Sequence, residues 1–567
     1  MVFLLAIIAF LLFVHPVAAV TDPLAVPNNR YGIHIADPND IPDLPSLVNS
    51  NGGDWGYVTL VIPKTDQNSD AWQKKFDQMR RQHLIPIVRL ATTIDGASWT
   101  KPKKDDIRDW VSFLTSLNWP TENRYVILFN EPNHANEWGN NIDPEEYADI
   151  LVTFADALKQ ASPDFFVLPA GLDVSAASDG RSLDAAEYLR RMIAAKPELL
   201  EKIDGWTSHS YPNPGFSGSP NARGRGTLGS FAWELEYLKG LGLKKELPVF
   251  ITETGWNHSE GKFWQPRFAN PQIVGSNFQI AAATIWQDPR IAAITPFVFN
   301  YQDYPFDHFS FKKIGGTDYY PHYQAYQSIP KIKGQPVQQE SYEVMRPLIS
   351  PKLIAGSRYV VRTQIRNTGQ TILDDKDDYV LSVLDEHGFS LSDVTLPTIE
   401  PGQKGELQFT LTAPSRTGKV AAHIQIRHLN RIILLDSQEI TIVPPPSMTL
   451  QLTLGWRSVS DAKDVKVLIY QDSKLIHEFS GQTLIHNQLT VEKITDIIPG
   501  QPYRVVAIVP NYLPRQKVQP LKEGNTTVRL PRFLPFDMDN DGAFSWNDAA
   551  VLITTQPHTI LSRFFGP

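Results

Sequence analysis

Two short runs hold the residues best suited to breaking a covalent bond. Leu128-Phe129-Asn130-Glu131-Pro132-Asn133 and Phe250-Ile251-Thr252-Glu253-Thr254-Gly255-Trp256 each place a glutamate one step past an apolar stretch. Two carboxyls held about 5–5.5 Å apart can divide the opening of a glycosidic bond between them. One gives a proton to the departing oxygen, and the other attacks the anomeric carbon. Their surroundings must keep the first protonated and the second ionised.

A second constellation lies near the C-terminus. In Asp537–Asp548, oxygen donors Asp537, Asp539, Asp541, Ser545 and Asp548 fall at positions 1, 3, 5, 9 and 12 of the calcium-loop template, with Gly542 at the sharp turn. Ala543 would ligate through its carbonyl, and Phe544 would pack against the preceding module. The loop predicts a structural Ca²⁺, and no catalytic cofactor is expected. With no cysteine in the chain, disulfides, thiol catalysis and thiolate metal sites are excluded.

The elements that must carry the glutamates follow from the apolar pattern. Candidate strands are residues 31–35, 57–62, 85–90, 125–129, 166–170, 205–209, 249–252 and 294–299. They are rich in Val, Ile, Leu and Phe without strict alternation, as buried parallel strands are. Helical patterns separate them. One opens at Pro144 behind a candidate N-cap, Asp143, and runs through Leu151, Phe154 and Leu158. Eight such units in roughly 300 residues predict an α/β fold of the (β/α)₈ TIM-barrel type over 30–330, with both glutamates on the C-terminal rim of the strands. Beyond a linker at 329–340 the pattern changes. Leu407, Phe409 and Leu411 alternate with polar residues, and Asn367-Thr368-Gly369 and Glu400-Pro401-Gly402 signal turns, so 341–443 reads as an antiparallel β-sandwich. After Pro444-Pro445-Pro446, residues 447–530 read as a second β module on the alternation of Val465, Val467 and Ile469, and 531–567 as the calcium loop and tail.

The Asn-Glu-Pro after the fourth strand and the Thr-Glu-Thr-Gly-Trp after the seventh resemble the signature of the large clan of retaining TIM-barrel glycosidases, which includes cellulases, β-mannanases and β-xylosidases. The resemblance covers residues 31 to about 330. It implies that Glu131 is the acid/base, that Glu253 is the nucleophile and that Asn130 binds a sugar 2-hydroxyl. It further implies that Tyr211 hydrogen-bonds the nucleophile and that His209 lines the cleft. By their strand-end positions, Arg89 would hold Glu253 ionised and His34 would contact a sugar hydroxyl. Trp256 and Trp138 are candidate stacking platforms. Many clan members carry a tryptophan after strand eight; here stands Phe299-Asn300-Tyr301, so Tyr301 or a tryptophan from another loop takes that place. The Asp at position 12 of the acidic loop resembles the dockerin type, which implies a cohesin-like partner. Dockerins carry two such loops, and one is found here.

Composition bounds the rest. The chain has 567 residues and a net charge of −8, which points to no nucleic-acid partner. The apolar run Val2–Val14, followed by Val17-Ala18-Ala19, reads as a signal peptide over 1–19 and is short of the about 20 residues of a membrane span. The protein is therefore expected to be secreted or at the cell surface, with a membrane contact only if this segment stays as an anchor. The expected partner is a carbohydrate polymer or oligosaccharide. Three readings stay open: a retaining hydrolase, a transglycosylase on the same site, and a carbohydrate-binding barrel without activity.

Overall fold

The computed structural model describes residues 20–345, 348–384, 388–457 and 460–555. The signal segment expected over 1–19 and residues 556–567 of the tail lie outside the described residues. The chain divides into two compact units, Met1–Gln339 and Glu340–Pro567.

The first unit alternates strands with helices. Its strands are β1 (Gly32–Ile35), β2 (Gly56–Pro63), β3 (Leu84–Ala91), β4 (Arg124–Leu128), β5 (Phe165–Pro169), β6 (Trp206–His209), β7 (Val249–Glu253) and β8 (Ile291–Ile294). The principal helices that follow them in turn are α1 (Pro45–Val48), α2 (Ser69–Arg81), α3 (Ile107–Ser116), α4 (Pro144–Ala161), α5 (Ala185–Ala195), α6 (Ser230–Gly240), α7 (Pro271–Ala283) and α8 (Pro321–Gln327). Strands β1 to β5 pair in order as one parallel sheet, and β6 to β8 as another. A parallel bridge between Tyr31 and Ile294 links β8 to the residue before β1. Across the other gap, the Asp204 N–H donates to the Val167 carbonyl of β5 at 2.9 Å. Contacts at both edges thus link the two sheets. Strands β1, β5, β6, β7 and β8 are buried at every residue, which is why they read as continuous apolar runs.

Local chemistry fixes the ends of these elements. The Asp143 side chain accepts the Glu146 N–H at 2.9 Å, and Pro144 occupies the first turn of α4, where its missing N–H costs nothing. Leu151, Phe154 and Leu158 then lie on its buried face. The eighth strand corrects the sequence reading. It spans Ile291–Ile294, not 294–299. Pro296 has no N–H for a ladder; Phe297 after it lines a cavity, and Val298 and Phe299 are buried.

In the second unit, Tyr342–Val344, Arg358–Asn367, Lys404–Thr412 and Ser390–Thr395 form one sheet. Lys352–Ile354, Arg431–Val443, Gly418–His428 and Val380–Val383 form a second. Leu407, Phe409 and Leu411 are buried between them. Residues 447–537 build a three-stranded and a five-stranded sheet around Val465, Val467 and Ile469. The purely antiparallel pairing expected over 341–443 needs correction, and the second module is mixed as well. Lys352–Ile354 runs parallel to Arg431–Val443, and Ser447–Gln451 runs parallel to Asn525–Arg529. Each pair joins the two ends of its module through a long crossover rather than a hairpin. Helix α9 (Trp546–Thr554) closes the described chain.

The packing of α4 makes a stability prediction. Phe154 is fully buried and meets Phe129 edge-to-face, with ring centroids 5.5 Å apart, next to the turn that carries Asn130 and Glu131. Phe154→Ala should cost about 3–5 kcal/mol, read as a lowered urea midpoint of the first unit. A loss below about 1 kcal/mol would mean that this wall collapses to fill the void.

Candidate active site

Each glutamate is aimed by the end of its strand. After β4 the backbone takes two left-handed turns, at Phe129 (φ 74°) and Glu131 (φ 30°), which only a constrained site holds in non-glycine residues. The Glu131 N–H donates to the Gly171 carbonyl at 3.1 Å. In β7, a register shift against β6 sets Glu253 opposite His209. One carboxylate oxygen of Glu131, one of Glu253 and a ring nitrogen of His209 lie within 4.8 Å of one another.

Both oxygens of Glu253 are held. Arg89 Nη1 donates to Oε1 at 2.5 Å, and the Tyr211 hydroxyl donates to Oε2 at 3.1 Å. Arg89 Nη1 also donates to Asn130 Oδ1 at 2.7 Å, while Asn130 Nδ2 donates to Glu137 Oε2 at 3.2 Å. His209 Nδ1 is 2.7 Å from Glu131 Oε1 and 3.8 Å from Glu253 Oε2. His209 is buried and does not line the cleft, which corrects the sequence reading: its ring sits against Gly171, where a Cβ would come within 2.3 Å of it. Gly171 is therefore a site where a side chain would displace the histidine.

The electrostatics separate the acidic groups. Burial works to raise the Glu253 carboxyl, but the neighbouring His209 and Arg89 charges outweigh it and hold it at about 2. Burial works to lower His209, and the carboxylates of Glu253 and Glu131 raise it. Burial, together with the Glu131 charge, lifts Glu137 to about 7. Burial and Arg89 push His34 down to about 3, so its ring is neutral; both ring nitrogens are buried without a hydrogen-bond partner.

These groups open into a cleft of about 1310 Å³, lined by residues at or just past the C-terminal ends of all eight strands. His34, Arg89, Asn130, Glu131, Tyr211, Glu253 and Tyr301 all line it. The loop after β6 contributes Asn213–Phe216, Arg225 and Gly226. Trp138 and Trp256 are not stacking platforms. Trp138 is fully buried, donates to Glu146 Oε2 at 2.9 Å and packs on Phe129 and Tyr147. Trp256 is buried on Phe278 and donates to the Gly218 carbonyl at 2.9 Å. The place next to His34 belongs to Phe297, with ring centroids 5.1 Å apart; Tyr301 lies further along, against Phe306. Trp99 and Glu137 also line the cleft and escaped the sequence reading. Glu137 carried one usable signal, an acidic side chain shortly after Glu131 with no helical face to occupy.

The acidic loop near the C-terminus forms a second candidate site. Asp537, Asp539 and Asp541 bring one oxygen each within 4.8 Å of the others, and Gly542 takes φ 88° at the turn. The Ala543 N–H donates to Asp541 Oδ1 at 2.8 Å, and Ser545 caps α9 through the Asn547 N–H. The Asp548 carboxylate accepts the N–H groups of Met538 and Ser545, tying the loop ends together. Phe544 is exposed, and its ring lies 6.0 Å from that of Phe536.

No family model matches this chain, and no curated protein does. Among solved structures, the chain is similar to a family 39 glycoside hydrolase from Bacteroides cellulosilyticus WH2, at 13% identity over 70% of this chain and 83% of that one, with a TM-score of 0.38. It is also similar to an endo-1,4-β-mannanase from Eisenia fetida, at 14% identity over 55% and 94% of the two chains, TM-score 0.34. A GH128 (subgroup I) endo-β-1,3-glucanase from Amycolatopsis mediterranei, solved with laminaritriose, matches at 13% identity over 53% and 100%, TM-score 0.31. At TM-scores this low the likenesses carry no argument, and function has to be argued from the site.

The depressed Glu253 carboxyl sets a sign. Its folded value lies below the ordinary 4.5, so its contribution to stability is present above about pH 4.5 and is lost as pH falls toward 2. Arg89→Met should move that loss to higher pH. Unfolding temperature against pH, with Glu253→Gln as the reference that lacks the group, measures it. Superposable curves for the parent and Arg89→Met would remove Arg89 as the group that holds the charge.

Proposed function

We propose that residues 30–330 form a (β/α)₈ barrel and that the chain is a retaining glycoside hydrolase, with Glu253 as nucleophile and Glu131 as acid/base. The observation that carries this reading is the approach of a Glu131 oxygen to a Glu253 oxygen within 4.8 Å. That spacing suits direct attack by one carboxylate and leaves no room for the water that an inverting pair, about 6.5–9.5 Å apart, places between substrate and base. In the first step a Glu253 oxygen forms a bond to the anomeric carbon as the bond to the leaving oxygen breaks. Glu131 gives that oxygen its proton. In the second step Glu131 takes a proton from water, whose oxygen displaces Glu253 from the sugar. With Oε1 occupied by His209, Oε2 of Glu131 is the oxygen left to carry the proton. Asn130 has one amide N–H engaged by Glu137 and a second to offer a sugar hydroxyl, and the unpartnered nitrogens of neutral His34 suit a hydroxyl as well.

The held, ionised Glu253 favours an enzyme over an inactive binding barrel, because a binding site gains nothing from a buried charge that needs two donors. Hydrolysis and transglycosylation share these steps and differ only in the acceptor, which product analysis distinguishes. On this reading the protein is exported through residues 1–19. Glu131→Gln should lower turnover of substrates with poor leaving groups by about 10²–10⁴-fold, the ordinary share of general acid catalysis. Dinitrophenyl glycosides, which need little protonation, should lose far less. Equal losses on both would take the acid role from Glu131.

The second proposal is that Asp537, Asp539 and Asp541 hold a structural Ca²⁺. Burial and the surrounding carboxylates raise Asp537, a repulsion that a cation would relieve. A ligand bound only to the folded state stabilises it by about 2.7 kcal/mol at a hundredfold excess over Kd. At ~2–4 °C per kcal/mol, chelator should lower the unfolding temperature of the second unit by about 5–10 °C, and Asp541→Ala should remove that response. No calcium binding at millimolar ion would leave the loop an ordinary acidic turn.

A further inference from the structure

Aromatic side chains are rarely left in water without a use, and in the first unit the exposed ones are not scattered. Phe263 (57% exposed), Trp264 (63%), Tyr304 (54%) and Phe306 (44%) are the four exposed aromatic side chains among the described residues of that unit. All four stand on two neighbouring loops, one after β7 and one after β8. An exposed apolar cluster of this kind marks a binding surface.

The two loops are built as one piece. Lys262 Nζ pairs with Asp303 Oδ1 at 2.7 Å, and the Lys262 N–H donates to Asp307 Oδ2 at 2.6 Å. The His258 N–H donates to the His308 carbonyl at 2.8 Å, and His308 Nδ1 is 2.7 Å from the His258 carbonyl. The rings also continue the cleft. Phe306 lines it and meets Phe297 and Tyr301 at 5.5 and 5.4 Å, while Phe263 meets Tyr304 at 6.2 Å further out. Trp99 lines the cleft from the loop after β3. The catalytic pair, from β4 and β7, lines the same cleft as Trp99 and Phe306.

The chemistry of the surface selects its occupant. Rings with open faces suit the C–H faces of pyranose units, whose hydroxyls can stay in water. Lys262 and Asp303 neutralise each other, and the cleft arginines, Arg89 and Arg225, are each paired with a carboxylate. The carboxylates lining the cleft, Glu131, Glu137, Asp173, Asp184 and Glu253, outnumber these two arginines, which disfavours an anionic sugar. Resting on the hydrolase reading above, we infer that the rim of Phe263, Trp264, Tyr304 and Phe306 is a distal platform for the chain of an uncharged polysaccharide, which directs the site to internal bonds of a polymer.

Two measurements test this, one of them independent of turnover. The first is affinity electrophoresis of the full chain carrying Glu253→Ala, with and without Phe263→Ala/Trp264→Ala, in gels containing laminarin, galactomannan, hydroxyethylcellulose or polygalacturonate. At least one of the three uncharged polymers should retard the parent, and the double substitution should weaken that retardation at least fivefold. The substituted side chains are exposed, so their loss leaves no buried void. The second compares kcat/KM in the active background: the double substitution should cost at least tenfold more on the retarding polymer than on the corresponding aryl monoglycoside. No retardation of the parent, equal retardation of both proteins, or retardation by polygalacturonate alone would overturn the platform. So would a concentration-dependent dimer in sedimentation that the double substitution dissolves, because a second copy would then be the occupant. Retardation without any turnover would instead overturn the hydrolase reading and leave the platform standing.

Discussion

A carboxylate buried in protein stays ionised only if charges and donors replace the water it has lost. Glu253 meets that condition, and much of the first unit can be understood from it. Arg89 comes from the end of β3, Tyr211 from just past β6, and His209 from the last residue of β6. Holding one anion therefore recruits two strands besides its own. The ends of those strands must meet at one cleft, and the register shift between β6 and β7 sets His209 opposite Glu253 there. The same arginine reaches Asn130, so the group that fixes the anion also orients the residue beside Glu131.

Glu131 is held by a different device. Its backbone is bent through a left-handed turn and anchored to the Gly171 carbonyl, and its side chain meets the ring of His209. That ring needs the space that Gly171 leaves empty. His209 thus faces both glutamates at once, at 2.7 and 3.8 Å. A change at either carboxylate is felt by the histidine between them, whose charged form both favour.

Much of this was legible in the sequence because it depends on strand ends. A fully buried parallel strand is an uninterrupted apolar run, so the residue that follows it can be located to within a step or two. Glu131, Glu253, Arg89 and His34 were found in that way and Tyr211 through the family resemblance, and the structure brings them to one cleft. The misses depend on what happens after the chain leaves a strand. Trp138 and Trp256 stand near the glutamates in sequence, but local packing against Tyr147 and Phe278 turns them inward. Trp99 and Glu137 reach the cleft only through loop conformations with no periodic signature. Phe297 was hidden inside a misplaced eighth strand, because an apolar run that turns one ring into a cavity and buries the rest has the same composition as one that pairs. His209 was located correctly and its burial misjudged, since nothing local announces the space above Gly171.

The central claim is that Glu253, and no other carboxylate, attacks the sugar. Incubation with 2-deoxy-2-fluoroglycosyl fluorides of the gluco, manno and xylo series slows the release of a covalent intermediate enough to isolate it, and peptide mass spectrometry then locates the sugar. The account predicts one added fluorosugar, on the peptide that carries Glu253. A sugar attached through Glu131 or Glu137, or steady turnover that releases product of inverted anomeric configuration with no trapped peptide, would contradict it.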